Sequence, residues 1–402
     1  MSADQQRLTR DDLVEYFRSA VVPPRRNRIG VEYEVFGFER ASRTRLAFDT
    51  VPGVEWLLSR LLERMGGEAV EEEGRIVGID HPECSVTIEP GGQIEASFSP
   101  CWTVTECARK LKDYIGWLKA ASGPEVIFLA AGVDPVTPFA KVPWVPKHRY
   151  RIMRRYWEGQ PGLSCHMMGQ TAAVQISLDY NSEADAVVKL STALNLSCLL
   201  GGLLANSPVY EGFYRYAGSF RQKIWCRTDR ERSGVPGLCT RRISSFADYV
   251  DYALGVPMFF IRRGTRLEEL KERITFLEFL EQGWRGEFPG IEDWRIHLNT
   301  IFSLVRFNNT VLEVRMFDSN RPELVNAIAS LVKGIFYSGR GFSPLSTPAE
   351  LLAAARDNLE DEEADFLQPL ELLIEEGVSP GDRARQAFRS GGVDGLIEYL
   401  SI

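Results

Sequence analysis

Two glutamates one residue apart, in 27-NRIGVEYEVFGF-38, are the residues with most to explain. The Val, Tyr, Phe and Ile content predicts a β-strand, and side chains alternate along a strand. Glu32 and Glu34 therefore share one face while Val31, Tyr33 and Val35 take the other. The pattern recurs. In 86-VTIEPGGQIEASF-98, Gln93, Glu95 and Ser97 oppose Ile94, Ala96 and Phe98, with Glu89 just before the PGG turn. In 171-TAAVQISLDY-180, Gln175, Ser177 and Asp179 oppose Val174, Ile176 and Leu178, and in 311-VLEVRMFD-318, Glu313 and Arg315 oppose Leu312, Val314 and Met316. For any single strand, a polar face wetted by water is explanation enough. Taken together, faces short of Lys and rich in Glu and Gln predict strands that curve towards one another and line a common polar cleft.

Crowded carboxylates repel and raise one another's pKa, and a desolvated carboxylate without a partner costs several kcal/mol, so something cationic is required. Glu and Gln without His or Cys clusters form an all-oxygen ligand set, which suits Mg²⁺ or Mn²⁺ rather than zinc. Mg²⁺ held by carboxylates with open positions points to a nucleotide phosphate in the same site. The usual phosphate loops are missing, since there is no G-x-x-x-x-G-K-[ST] and no strand-linked G-x-G-x-x-G. An ATP site here has to use metal ions and arginines. Arg149 and Arg151 in PKHRYR, Arg221 in SFRQKIW and Arg315 beside Glu313 are the candidates.

These residues need a scaffold. The chain of 402 residues is 44% hydrophobic and 25% charged, enough for a large core, and its net charge of -8 argues against nucleic acid as the partner. The polar start, MSADQQRLTRDD, lacks the apolar region of a secretory signal, and no run of about 18 apolar residues follows, so the expectation is a cytoplasmic protein without a membrane role. The seven cysteines at 84, 101, 107, 165, 198, 226 and 239 are scattered without a Cys-x-x-Cys pair and read as reduced structural thiols. Thr9-x-x-Asp12 predicts a capped first helix, and 51-VPGVEWLLSRLLERMGG-67 and residues 103 to 121 have helical periodicity. Between them, residues 68 to 98 read as an antiparallel meander broken by EEG, DHPE and EPGG. The Pro-rich loop 134 to 150 is stiff, Ser182 caps a long helix, residues 212 to 245 read as a polar loop, and the acidic stretch 357 to 366 reads as a solvated face. His166 and His297 read as structural.

A family resemblance rests on motifs in order. RIGVEYEVFGF, IEPGGQIEAS, PKHRYRIMRRY, HMMGQTAAVQISLDYNSEAD, LLANSPVYEG, RQKIWCRTDRERSG, FADYVDYALGVPMFF, DWRIHLNTIF and VLEVRMFDSN resemble the landmarks of the plant and proteobacterial type of glutamate-cysteine ligase. The resemblance implies an α+β fold of glutamine-synthetase type, a curved antiparallel β-sheet funnel surrounded by helices, as a single catalytic domain over 1–402. It also implies a reaction, the first step of glutathione biosynthesis. ATP phosphorylates the γ-carboxylate of glutamate, and the amine of cysteine attacks the acyl phosphate.

By the same resemblance Glu32, Glu34, Glu89, Glu95 and Glu313 are metal ligands with Gln93 assisting, for Mg²⁺ or Mn²⁺. Glu313 and Arg315 are catalytic, Arg315 touching the transferring phosphoryl group. Arg149 and Arg221 grip glutamate, and Gln170, Trp225 and Phe259 complete the substrate contacts. Three places depart from the family pattern. Gln170-Thr171-Ala172-Ala173 replaces Arg-Thr-Cys-Thr, Cys226-Arg227 replaces Thr-Asp, and Phe259 stands where a tyrosine beside the acceptor is expected. The chemistry with another amine acceptor, a guanidino-kinase-like phosphotransferase and a non-catalytic binding protein stay open as alternatives.

Overall fold

A computed structural model describes residues 7–402 except 216, 217, 234–237, 239, 240, 265 and 309, so Cys239 and the first six residues lie outside the description. Its frame is a nine-stranded antiparallel sheet. The strands are β1 (Ile29–Glu39), β2 (Glu68–Glu72), β3 (Arg75–Asp80), β4 (Cys84–Ile88), β5 (Ile94–Phe98), β6 (Val126–Leu129), β7 (Ala173–Leu178), β12 (Val305–Asn308) and β13 (Val311–Asp318). Their order is β12-β13-β7-β1-β5-β4-β3-β2, with β6 added on the second half of β1. Two short ribbons stand apart, β8 (Val209–Tyr210) with β9 (Phe213–Tyr214), and β10 (Phe260–Arg263) with β11 (Arg266–Glu269).

The 68 to 98 meander forms as expected, because each polar break falls at a turn between paired strands, of which β4 and β5 alternate in burial. One face of the sheet is apolar. Val31, Tyr33, Val35, Ile94, Ala96, Ile176 and Val314 are buried in one continuous core, against which the helices Val104–Ser122 and Pro322–Phe336 pack. The helix Glu183–Leu203 is long and apolar enough by composition to cross a membrane, yet it packs on β12 and β13 with half of its most apolar stretch buried. Ser182 caps it by accepting from the Asp185 N–H at 3.0 Å, Thr9 and Asp12 form their capping box, and Pro322 and Pro348 open helices.

Two expectations need correction. The 212 to 245 region is not all loop. It contains the helices Phe220–Trp225 and Arg230–Ser233, the first started by Ser219, whose side chain accepts from the Gln222 N–H at 3.1 Å. Six residues are too few for a hydrophobic period to announce itself. The acidic stretch 357 to 366 is not wholly solvated either. Glu363 is buried, accepts from the Val104 N–H at 2.6 Å and pairs with Lys333 at 2.5 Å, so it holds the start of a helix far away in sequence.

Candidate active site

Register brings the polar faces together. Glu34 lies directly opposite Glu95 on β5, Glu32 opposite Ser97 on β5 and Gln175 on β7, and Glu313 opposite Ser177 on β7 and Arg306 on β12. The alternation read from the sequence thus becomes a continuous band across five strands, the opposite face from the core. A one-residue irregularity between β13 and β7 falls at Arg315 and Met316. Bulges re-aim side chains, and here Arg315 turns towards Gln175 and Glu313, with its own N–H donating to the Leu304 carbonyl at 2.8 Å.

A narrow cleft of about 100 Å³ opens on this band. Glu34, Glu89, Arg149, Arg221 and Arg315 form its polar walls, and Met153, Met167, Met168, Trp225 and Phe302 form its apolar end. Glu34 accepts from the Ala173 N–H at 3.0 Å and from Gln175 Nε2 at 2.8 Å, and the same amide reaches Glu95 at 3.3 Å while its oxygen accepts from Arg315. Gln175 is therefore the neutral spacer between two carboxylates and an arginine. Thr87 donates to Glu95 at 2.7 Å. Tyr150 donates its hydroxyl to the Ile88 carbonyl at 2.8 Å, fixing the Arg149-bearing helix, His148–Trp157, against the end of β4.

The electrostatics divide the carboxylates into two kinds. Burial, and then the neighbours Glu95 and Glu313, push Glu32 well above the usual carboxylate range; burial, and then Glu95 and Glu89, do the same to Glu34. Burial and Glu89 bring Glu95 to about 7. This group has an excess of anions that the protein does not neutralise. Glu313 is the opposite case. Burial alone would raise it, but Arg306 and Arg315 outweigh that and hold it at about 2. Arg306 Nε and Nη2 donate to its two oxygens at 2.9 and 3.2 Å, Asn308 adds 2.8 Å, and Arg315 completes the set, so each oxygen has two donors.

The cationic side has donors to spare. Arg149 Nε, Arg221 Nε and Nη1, Arg315 Nε and Trp225 Nε1 are buried without a hydrogen-bond partner among the described residues. Arg221 is only 1% exposed, and among the described residues its one side-chain bond runs from Nη2 to the Arg315 carbonyl at 3.0 Å. Burial lowers its guanidinium to about 10 despite the attraction of Asp318 and Glu34. A buried arginine with idle N–H groups is costly unless an anion completes it.

Not every expected residue faces the cleft. Gln170 is fully buried and spent on the Thr137 carbonyl at 2.7 Å and the Tyr210 hydroxyl, so it is a strut under the Pro-rich loop and not a substrate contact. Phe259 lies behind the wall, packed edge-on against Tyr156 and Trp157 with the Arg232 guanidinium 3.5 Å from its ring centre. Gln93 lines the cleft, but its oxygen accepts from the Gly91 N–H at 3.0 Å and its amide holds the Met168 and Thr171 carbonyls, which leaves little for a metal. Glu313, as placed, anchors two arginines and presents no free lone pair. Arg151 is exposed and paired with Glu73, and Asp179 pairs with Arg28 at the far end of β7. His166 stacks on Phe139, and His297 bonds the Ala253 carbonyl, both structural as expected.

Sequence reasoning missed Arg306 and the apolar end of the cleft. The first had a signal, since pairing VRFN with VLEVR as a tight hairpin puts Arg306 opposite Glu313. The methionines had none, because Met153 and Met167 also suit an ordinary helix core. Among the described residues no three His, Cys, Asp or Glu side chains close on one metal position. The oxygen-only donors with raised pKa nevertheless fit Mg²⁺, which takes one or two carboxylates and fills its other positions with water and phosphate oxygens.

The comparisons with known proteins agree with one another. Residues 28–337 match the family model described as Glutamate-cysteine ligase family 2 (GCS2). Glutamate-cysteine ligase A, chloroplastic, of Oryza sativa subsp. indica is 31% identical over 425 residues, covering 95% of this chain and 85% of the relative. The chloroplastic glutamate-cysteine ligase of Arabidopsis thaliana is 32% identical over 437 residues, covering 98% and 83%. Among solved structures, a glutamate-cysteine ligase of Francisella tularensis in complex with AMP superposes with a TM-score of 0.58 at 9% identity, over 93% of this chain and 87% of that one. That likeness shows a common fold.

Proposed function

Because the chain belongs to glutamate-cysteine ligase family 2, we propose that it joins the γ-carboxylate of L-glutamate to the amine of L-cysteine, with cleavage of ATP to ADP and phosphate. The observation that carries the reading is that the arginines and tryptophan with unpartnered buried N–H groups line one cleft with Glu34 and Glu89, whose neighbours Glu32 and Glu95 are raised by burial and crowding. Such a site wants an anion on one side and a cation on the other, and a substrate carboxylate with Mg-ATP supplies both.

Each residue then has a task. Arg149 and Arg221 offer planar forks to the glutamate carboxylates, with Trp225 adding one indole donor. Glu34 and Glu89 in the cleft, with Glu32 and Glu95 beside them, would hold Mg²⁺, which when bound would neutralise charge on the phosphate oxygens. Arg315, aimed by Glu313 and Arg306, meets the transferring phosphoryl group. An oxygen of the γ-carboxylate attacks the γ-phosphorus and ADP leaves. The amine then attacks the acyl carbon, a proton leaves the nitrogen, and phosphate departs with the carboxylate oxygen. The wall of Met153, Met167, Met168 and Phe302 keeps water from the acyl phosphate.

A different amine acceptor is the second reading, favoured by Phe259, which stands where the family pattern has a tyrosine and leaves the layer behind the cleft wall without that hydroxyl. Phosphate release from Mg-ATP with glutamate and a panel of amines tests both. Release that needs glutamate and an amine together is expected, with cysteine the best amine. A stable phosphorylated acceptor without free phosphate would overturn the ligase and point to a phosphotransferase.

A further inference from the structure

The helix that carries Arg221 and Trp225 is short, and what fixes it is a buried carboxylate outside the cleft. Asp318, the last residue of β13, is fully buried. Its Oδ2 accepts from the Asn206 N–H at 2.8 Å and the Ser207 hydroxyl at 2.6 Å, and its Oδ1 accepts from the Ser219 hydroxyl at 2.8 Å. Both serines pass the constraint on. Ser207 Oγ accepts from the Arg221 N–H at 3.2 Å, and Ser219 Oγ accepts from the Gln222 N–H at 3.1 Å. Those two amides belong to the first turn of the helix, where no intrahelical acceptor exists for them.

The surroundings are built to fit. A Cβ on Gly132 would come 2.3 Å from the Asp318 carboxyl carbon, so the loop after β6 must be glycine there for the carboxylate to occupy its place. Among the described residues no cation touches Asp318, and the nearby guanidinium of Arg221 acts on it through space. A buried carboxylate satisfied only by neutral donors is a demanding way to start a helix, since a capping serine alone serves elsewhere in the chain. Here one carboxylate ties the end of β13, which carries Arg315, to the start of the helix that carries Arg221.

We propose that Asp318 is the positioning residue for Arg221, acting through Ser207 and Ser219 so that the idle guanidinium N–H groups face the cleft. The proposal rests on the reading of Arg221 as a glutamate contact only for its kinetic readout. Asp318→Asn keeps the size and removes the charge and one acceptor. Amide hydrogen exchange of residues 219–225 should accelerate at least tenfold, while β1 and β7 stay as protected as in the unaltered protein. KM for glutamate should rise 10- to 100-fold, with kcat and KM for ATP within about threefold.

Ser219→Ala, which keeps the carboxylate, should shift both readouts the same way by a smaller factor. In an Arg221→Met background, Asp318→Asn should have no further effect on glutamate KM. Unchanged exchange at 219–225, or an equal loss in the Arg221→Met background, overturns the proposal. Faster exchange in a protein that shows no saturation with glutamate would leave Asp318 as the anchor of this helix and overturn the assignment of glutamate instead.

Discussion

Replacing Arg221 by methionine separates a functional arginine from a structural one. Burial holds its guanidinium at about 10 even with the attraction of Asp318 and Glu34 included. That is roughly two to three decades below an ordinary arginine, and at ~1.4 kcal/mol per decade the ligand-free cleft carries a penalty of ~3 kcal/mol for the charge. The sign is that of a depressed cation: the penalty is present throughout neutral pH and is relieved only as pH rises above about 10. Methionine fills the slot flexibly, and the losses are the bond to the Arg315 carbonyl and the stacking on Trp225, together ~2 kcal/mol. Arg221→Met should therefore be as stable as the unaltered protein or ~1 kcal/mol more stable by urea unfolding without ligand. Its two idle N–H groups, at ~1.5–3 kcal/mol each to an anion, put the loss in kcat/KM for glutamate at about 10²- to 10⁴-fold. A variant destabilised by more than ~2 kcal/mol, or one that keeps its kcat/KM, would refute the reasoning.

Other perturbations read other parts of the site. Arg306→Met leaves Glu313 buried with one arginine fewer and should cost ~3–5 kcal/mol in denaturant unfolding, along with most of the turnover; a loss under ~1 kcal/mol would mean the pair is idle. Glu95 at about 7, with Glu32 and Glu34 also raised, contributes stability that is full below the ordinary carboxylate range and lost as pH rises through about 7. The melting temperature in chelator should fall from about pH 5 to pH 8, Mg²⁺ should restore it, and Mg²⁺ binding should release protons measurable by calorimetry in buffers of different ionisation enthalpy. Glu363→Ala should lower stability by ~2–4 kcal/mol through the Val104 cap and Lys333, with kcat/KM within about twofold, as expected far from the cleft.

Much of this was legible because alternation is a strong code. Glu32, Glu34, Glu95, Gln175 and Glu313 declared a polar face before any pairing was known, and the sheet only had to set them side by side. Register is what the sequence lacks. It decides that Gln175 stands between Glu34 and Glu95 and that an extra residue at Arg315 turns its side chain inward. Resemblance located the right segments but not the depth of each side chain. Gln170 and Phe259 fall on elements that frame the cleft, yet a shift of one layer makes them its supports. The helix Phe220–Trp225 escaped for a local reason, since a single turn and a half offers no period and only Ser219 marked its start.

In the proposed reaction the glutamate γ-carboxylate itself is phosphorylated between Arg315 and the acidic cluster. Glutamate labelled with oxygen-18 in its γ-carboxylate, turned over with Mg-ATP and cysteine, tests it directly by mass spectrometry of the phosphate released. An acyl phosphate puts one labelled oxygen into each phosphate formed with product. Phosphate that forms at the same rate but carries only unlabelled oxygen would contradict the account.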